Sequence, residues 1–293
     1  MKFQTMQNNL KNIVLNWSSP HSRKLPVCAD SPIVMGVLNV SRDSFSDGGK
    51  YLEIDSALAQ CKKMIEQGAE IIDIGAESTR PNATRISSQD ELSLLLPALK
   101  EIRNAFGEIA ISVDTYKPEV AQIAIENGAD IINDVQTELE NGICKMAQVA
   151  SKLNCPMIAT HNSRTENHDG DFFENLKSGM MLRVQALEKS GLDRSQIVID
   201  AGVGFGKTRN ENFEIVARLS ELRELALPVL LGVSRKSMFA EFAGDDMDLR
   251  DVATSVVSAM ATMMNSADIL RVHNVASTIT SIKTAKEILK WTK

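Results

Sequence analysis

Asp114 and Asp200 each follow a short apolar run, Ala110–Val113 and Ile197–Ile199, where a carboxylate is costly to bury without a partner. Asn133 stands in the same relation to Ile131-Ile132. Two such carboxylates and an amide suit a polar heterocycle: a carboxylate accepts two hydrogen bonds from an NH and NH2 edge, and an amide both donates and accepts. Capping of a following helix would use the same residue types, so on pattern alone both uses stay open. A second group is cationic. Ser234-Arg235-Lys236-Ser237 and Arg271-Val272-His273 lie at the last two apolar runs, and several cations so placed favour an anion site over ordinary surface charge.

Three further segments belong with these. Glu77-Ser78-Thr79-Arg80-Pro81 sets a guanidinium suited to anions beside a proline that restricts the backbone, although a solvated loop would read the same way. Asp47-Gly48-Gly49 alone is a turn, but with Ser44-Phe45-Ser46 and a run ending in Asn39 it becomes a polar loop long enough to cover a mouth. Gly202-x-Gly204-Phe205-Gly206-Lys207 lacks the Lys-Ser/Thr spacing of a P-loop and follows no first strand, which argues against nucleotide binding. Its glycines instead allow the backbone to approach a flat ligand, with Phe205 near the ring. His161-Asn162 completes the set of polar residues that follow apolar runs.

Gathering residues so far apart in the chain requires a repeating scaffold. Strand candidates are Ile33–Leu38, Glu70–Ile74, Ala110–Val113, Ile131–Ile132, Met157–Ala159, Ile197–Ile199, Val229–Leu231 and Ile269–Val272, each brief and mostly apolar or β-branched. Helical periodicity occupies Ile54–Gln67, Gln89–Phe106 behind a Ser88-x-x-Glu91 capping box, Pro118–Asn127, Gly142–Leu153, Phe172–Ser190, Asn212–Leu225, Asp251–Ser266 and Ser277–Lys290. Strands apolar on both faces suit a parallel sheet covered by helices. Eight strand–helix pairs, repeating about every 34 residues, predict a single (β/α)8 TIM barrel with a short N-terminal extension. An open doubly wound sheet would concentrate its chemistry at one Gly-rich loop, whereas here polar residues recur after nearly every strand. In a barrel those strand ends form one mouth.

Composition narrows the class. The 293 residues suffice for a full hydrophobic core, and 43% hydrophobic with 24% charged residues is ordinary for a globular protein. With 32 basic against 38 acidic residues the net charge is −6, so no polybasic nucleic-acid or membrane surface is expected, and an anionic ligand must meet a few placed cations. Cys28, Cys61, Cys144 and Cys155 form no CxxC pair and read as reduced, mostly buried thiols of a cytoplasmic protein. No apolar run approaches a membrane span, and the N-terminus lacks a signal-peptide core. Residues 1–30, with Pro20 and Pro26, read as an arm laid on a barrel of residues 31–293.

The ordered motifs resemble dihydropteroate synthase, the pterin-binding family of the folate pathway. They are Met35-Gly36-Val37-Leu38-Asn39-Val40, Asp43–Gly49, Gly68–Gly75 leading to Glu77-Ser78-Thr79-Arg80-Pro81, Ser112-Val113-Asp114-Thr115, Ile131-Ile132-Asn133-Asp134, Asp200–Lys207, Ser234–Ser237 and Arg271-Val272-His273. The resemblance implies a transferase that condenses 6-hydroxymethyl-7,8-dihydropterin diphosphate with 4-aminobenzoate, giving 7,8-dihydropteroate and diphosphate. It implies that Asp114, Asn133, Asp200 and Lys236 hold the pterin near Phe205. It gives Arg271, His273, Thr79 and Asn39 to the diphosphate, Asn39 through Mg2+, while Arg80 joins the substrate-binding set on the pattern reading above, as a guanidinium suited to anions. Ser237 and Pro81 would border the arylamine, the catalytic group being Lys236, Arg271 and His273. A homodimer is also implied, with Met260, Met263 and Met264 loading one helix. The chain departs from the family at Ser41-Arg42 (for Thr-Pro), Asn82 (for Gly), Thr160-His161-Asn162 (for Met-His-Met), Ala201 (for Pro) and Asn274 (for Asp after His273). Two other readings stand beside this one. A pterin-binding paralogue with weak or no catalysis would keep the same pocket. A methyltetrahydrofolate-type methyltransferase would have no need of the cationic set.

Overall fold

A computed structural model describes residues 16–28, 30–40, 50–78, 84–162 and 170–292, with the first helix described by backbone alone at 50–53. Eight strands, β1 Ile33–Asn39, β2 Ile71–Gly75, β3 Ala110–Asp114, β4 Ile131–Asp134, β5 Met157–Thr160, β6 Ile197–Asp200, β7 Val229–Leu231 and β8 Ile269–Val272, close into a barrel in chain order. All eight pairings are parallel, with β1 closing onto β8. The helices between them are α1 Lys50–Glu66, α2 Ser88–Ala105, α3 Pro118–Glu126, α4 Lys145–Leu153, α5 Phe172–Lys189, α6 Arg209–Arg218, α7 Ala240–Ala243, α8 Met247–Met263 and α9 Val275–Leu289. The expected (β/α)8 barrel is therefore the observed one.

Strands β1 to β6 run one or two residues further than their apolar cores. Asn39, Asp114, Asn133-Asp134, Thr160 and Asp200 are strand residues, not loop residues. Because side chains alternate across a strand, this extension decides which of them enter the barrel. Ile71 and Asp73, Ala110 with Ser112 and Asp114, Ile131 and Asn133, Ile158 and Thr160, Val198 and Asp200, and Ile269 and Arg271 are pairs on one face. Ile33, Met35, Ile71, Ala110, Ile131, Ile158, Val198, Leu230 and Ile269 form one apolar cluster, joined by Trp17 and Leu25 of the N-terminal segment. It packs the barrel floor. The polar members lie a layer above, towards the C-terminal strand ends where barrels carry their sites.

Helix ends differ from the periodicity in explicable ways. The cap of α2 is Ser87, whose hydroxyl accepts from the Asp90 N–H, so the Ser88-x-x-Glu91 box expected from sequence is displaced by one residue. A reciprocal capping box instead opens α6 at Thr208 and Glu211. The segment expected as one helix to Leu225 is α-helical only to Arg218 and continues as a 3-10 turn over Leu219–Leu225. Cys61, Cys144 and Cys155 are buried and unbridged, and burial pushes their thiols up to about 12, 11 and 12 respectively, so they stay protonated.

Beneath the floor, Asp130 collects four donors. Its carboxylate accepts from Ser19 Oγ at 2.6 Å, Arg23 Nε at 2.9 Å, Arg103 Nη2 at 2.7 Å and the Ile111 N–H at 3.0 Å. One buried acid thus ties the N-terminal segment, α2 and β3 together. Asp130→Ala leaves two guanidiniums without their carboxylate, and should lower stability by about 3–5 kcal/mol. Urea unfolding followed by circular dichroism checks this; a loss under about 1 kcal/mol would mean that the pairs are screened contacts.

Candidate functional site

Register brings the upper polar layer together. Asp114 pairs with Asn133 across β3 and β4, Asp73 with Ser112 across β2 and β3, Thr160 with Asp200 across β5 and β6, and Arg271 with Met35 across β8 and β1. Arg271 then reaches across the barrel: its Nε donates to Asp73 Oδ2 at 2.6 Å and its Nη2 to Asp114 Oδ2 at 2.6 Å. Asn133 donates from Nδ2 to the same Asp73 oxygen at 3.1 Å. Asp73 is fully buried and is a member of the site that the sequence reading passed over. Its signal was present in Ile71-Ile72-Asp73-Ile74, a charge inside an otherwise apolar strand.

This arrangement leaves acceptors pointing inward. Asp73 Oδ1, Asp114 Oδ1, Ser112 Oγ and Thr160 Oγ1 are buried and hydrogen-bond to no other described group. Asp73 and Asp114 share one guanidinium in a place screened from water. Burial, and then Asp73, push Asp114 up to about 7, against the pull of Arg271. Asp200 is raised as well, chiefly by burial, while Lys236 and the Gly202 N–H at 2.8 Å oppose the shift.

Lys236 closes the side of the pocket between β6 and β7. Its ammonium donates to the Val203 carbonyl and lies 4.3 Å from the centroid of the Phe205 ring. The Gly-rich turn is shaped for this contact. A Cβ on Gly204, at φ +80°, would come within 2.9 Å of Lys236 Cδ, and one on Gly202, at φ +70°, within 2.0 Å of the His161 carbonyl oxygen. A side chain at 202 is therefore excluded by backbone. Lys207 locks the turn by donating to the carbonyls of His161 at 2.8 Å and Phe205 at 3.1 Å.

The other expected residues differ in their surroundings. His273 is set beside Ser234, whose Oγ lies 2.9 Å from Nδ1 and accepts from the His273 N–H at 3.0 Å. Asn39 is exposed at the end of β1, and Ser237 is exposed at the start of the turn Ser237–Phe239. Arg235 does not join Lys236: it turns to α8 and pairs with Asp251. His161 is buried with its ring against Gly179 of α5, and Asn162 donates to the Val135 carbonyl at 3.2 Å. Thr79, Arg80 and Pro81, with the segment Ser41–Gly49, lie outside the described residues. The residue leading into the former is anchored, since Glu77 accepts from Tyr116 Oη at 2.8 Å and from Lys117. Lys117 also donates to Glu91 at 2.6 Å and to the Ile86 carbonyl at 2.8 Å, so one cation staples both sides of that loop.

Comparison with known proteins agrees with this geometry. The family model of the pterin binding enzymes matches residues 35–273. A dihydropteroate synthase of Bacillus subtilis is 41% identical over 250 residues, 84% of this chain and 85% of that one. The dihydropteroate synthase of Clostridium difficile, solved in the presence of pteroic acid, superposes with a TM-score of 0.82 at 36% identity over 88% of this chain and 97% of that one. That of Xanthomonas albilineans with 4-aminobenzoic acid gives a TM-score of 0.83 at 34% identity, covering 93% and 99%.

The raised Asp114 carboxyl has a consequence for ligand-free stability. Between its ordinary 3.8 and about 7, the folded chain keeps a proton that the unfolded chain has released. Stability from this group therefore falls as pH rises through that window and levels off above about pH 7. Measured by scanning calorimetry, the melting temperature of the wild type should drop relative to Asp114→Asn between about pH 4 and pH 7 and run parallel to it above. Curves parallel over the whole range would show that Asp114 is ionised throughout.

Proposed function

The chain belongs to the pterin binding enzymes, and within them to the dihydropteroate synthases; on that premise we propose how its own side chains condense 6-hydroxymethyl-7,8-dihydropterin diphosphate with 4-aminobenzoate. The observation that carries the reading is the layer of buried Asp73, Asp114, Asn133 and Asp200 around the half-buried Arg271, whose inward acceptors match the NH and NH2 edge of a pterin. Asp114, Asn133 and Asp200 hold that edge, and Lys236 with Phe205 flanks the ring.

The reaction breaks the C–O bond between the pterin methyl and the diphosphate and forms a C–N bond to the arylamine. The amine then loses a proton, and diphosphate leaves with the electron pair of the broken bond. Positive charge develops on the pterin methyl, and a pocket with three buried carboxylates against Arg271 and Lys236 favours it. Negative charge develops on the leaving oxygen. His273, held by Ser234, meets it there, as does Arg271 through Nη1, the nitrogen its two carboxylates do not use. Thr79 and Arg80 act from the loop that Lys117 anchors, and Ser237 and Pro81 border 4-aminobenzoate. An arylamine is already nucleophilic, so no strong general base is required.

Mg2+ fits this end of the barrel as a cofactor. Among the described residues no three His, Cys, Asp or Glu side chains cluster to hold a metal, and Mg2+ takes much of its shell from water and substrate phosphates. The exposed amide oxygen of Asn39 is the hard donor that would complete it. Bound there, Mg2+ would neutralise charge on the departing diphosphate. The remaining readings concern assembly and place. The reading of residues 1–30 as an arm on a barrel of residues 31–293 is supported by Trp17 and Leu25, which pack with the barrel floor; residues 1–15 lie outside the described residues. No described helix is long and apolar enough to cross a membrane, and the protein works in the cytoplasm. It does so as a homodimer, because Leu249, Val252, Val256 and Met260 form an exposed apolar stripe along α8, while Met263 and Met264 are half-buried.

Two measurements test this. Isothermal titration with the pterin diphosphate should show Asp200→Asn binding about 1.5–3 kcal/mol more weakly than wild type, the size of a hydrogen bond to a charged group. A loss below about 0.5 kcal/mol would remove Asp200 from the pterin edge. Light scattering at micromolar concentration should give twice the 32.1 kDa chain mass, and Val256→Glu should halve it. A monomeric wild type would refute the dimer.

A further inference from the structure

We propose that Asp251 is a positioning residue of the active site, tying the loop after β7 to the loop after β8 in a pairing that requires an amide at position 274. Asp251 is buried, at 4% exposure, on the face of α8 under the two loops. Its Oδ1 accepts from Arg235 Nε and its Oδ2 from Arg235 Nη2, both at 2.8 Å. From the other side, Asn274 Nδ2 donates to the same Oδ2 at 3.2 Å. Arg235 is the residue before Lys236 and the residue after Ser234, the hydroxyl that holds the His273 ring. Asn274 is the residue after His273. One carboxylate thus fixes the neighbours of both groups that the proposed function places on the pterin and the diphosphate, and the inference rests on that reading.

The local backbone shows why the tie is needed. Arg235 adopts φ +59°, a left-handed conformation that disfavours an arginine unless its surroundings impose it. Helix α8 imposes it with three successive contacts: Arg250 Nη1 donates to the Arg235 carbonyl at 3.2 Å, Asp251 takes the guanidinium, and Thr254 Oγ1 accepts from the Arg235 N–H at 3.4 Å. This twist sends Arg235 outward to α8 while Lys236 turns inward to Phe205.

Position 274 carries two duties. The Asn274 Oδ1 caps α9 by accepting from the Ser277 N–H at 3.1 Å, while its NH2 serves Asp251. An aspartate, the usual residue of the resembled family, would keep the cap but set a second carboxylate against Asp251. Burial works against charge on Asp251, yet Arg235, Asn274 and the nearby His273 outweigh it and hold its pKa below the usual carboxylate range. The acid at 251 and the amide at 274 therefore form one unit, a carboxylate and an amide in contact, which tolerates exchange of the two groups but not two carboxylates.

A substitution cycle tests this with the pterin diphosphate as probe, reading affinity by titration calorimetry and folding by melting temperature. Asp251→Asn and Asn274→Asp should each weaken binding about tenfold, and the double variant should return to within about threefold of wild type, because swapped partners in contact are not additive. Asn274→Ser, which keeps a capping oxygen without charge, should lose less than Asn274→Asp; this comparison decides the matter if Asp251→Asn does not fold. Losses that multiply in the double variant, or melting temperatures that fall while affinity stays constant, would overturn the proposal. A wild type that fails to bind the probe would instead overturn the functional reading, and this inference with it.

Discussion

One cation between two buried acids organises this barrel. Arg271 from β8 spans the interior to Asp73 on β2 and Asp114 on β3, and Asn133 from β4 completes the link by donating to Asp73. Isolated, any of these charges would be prohibitive at such depth. Together they are tolerable, but the two carboxylates outweigh the guanidinium, and the pocket remains rich in acceptors. That imbalance suits a ligand with a donor edge and a reaction in which the bound ring system becomes positive. The same residues fill the upper barrel and, in the proposed function, recognise the pterin and favour its cationic transition state.

The rest of the architecture serves that layer. The apolar floor of Ile33, Met35, Ile71, Ala110, Ile131, Ile158, Val198, Leu230 and Ile269 excludes water from below, and Trp17 and Leu25 pack onto it. Asp130 ties the N-terminal segment to the same end through Arg23 and Ser19. At the opposite end, short tethers aim individual side chains: Ser234 for His273, Lys207 and two glycines for the turn under Lys236, and Lys117 for Glu77. Rigid strands carry the proposed recognition groups, and the tethered turns after β7 and β8 carry Lys236 and His273.

Much of this was legible in the chain because a (β/α)8 barrel repeats its signal eight times. Asp114, Asn133 and Asp200 stood out as polar residues ending apolar runs, and strand parity makes them face inward. Asp73 was harder. In Ile71-Ile72-Asp73-Ile74 the surrounding apolar residues suggest a uniformly buried strand, and only alternation between barrel interior and helix layer explains a charge there. Arg235 and Lys236 could not be told apart by type, since what separates them is a left-handed backbone set by α8 residues fifteen or more positions downstream. The α2 cap was ambiguous because Ser87 and Ser88 are adjacent and only geometry selects the one that reaches Asp90. Ion pairs such as Asp130 with Arg23 and Arg103 join distant positions and leave no local pattern.

The central claim is that Arg271 acts by bridging two carboxylates, and not merely by supplying positive charge. Arg271→Lys separates the two, because an ammonium keeps the charge but lacks the planar fork that meets both Asp73 and Asp114. The measurement is the single-turnover rate of 7,8-dihydropteroate formation with saturating 4-aminobenzoate. A folded Arg271→Lys variant slowed about 100-fold or more is the predicted result, the scale seen when one preorganised donor is lost. A variant within about threefold of wild type would contradict it and leave Arg271 as a simple counter-charge.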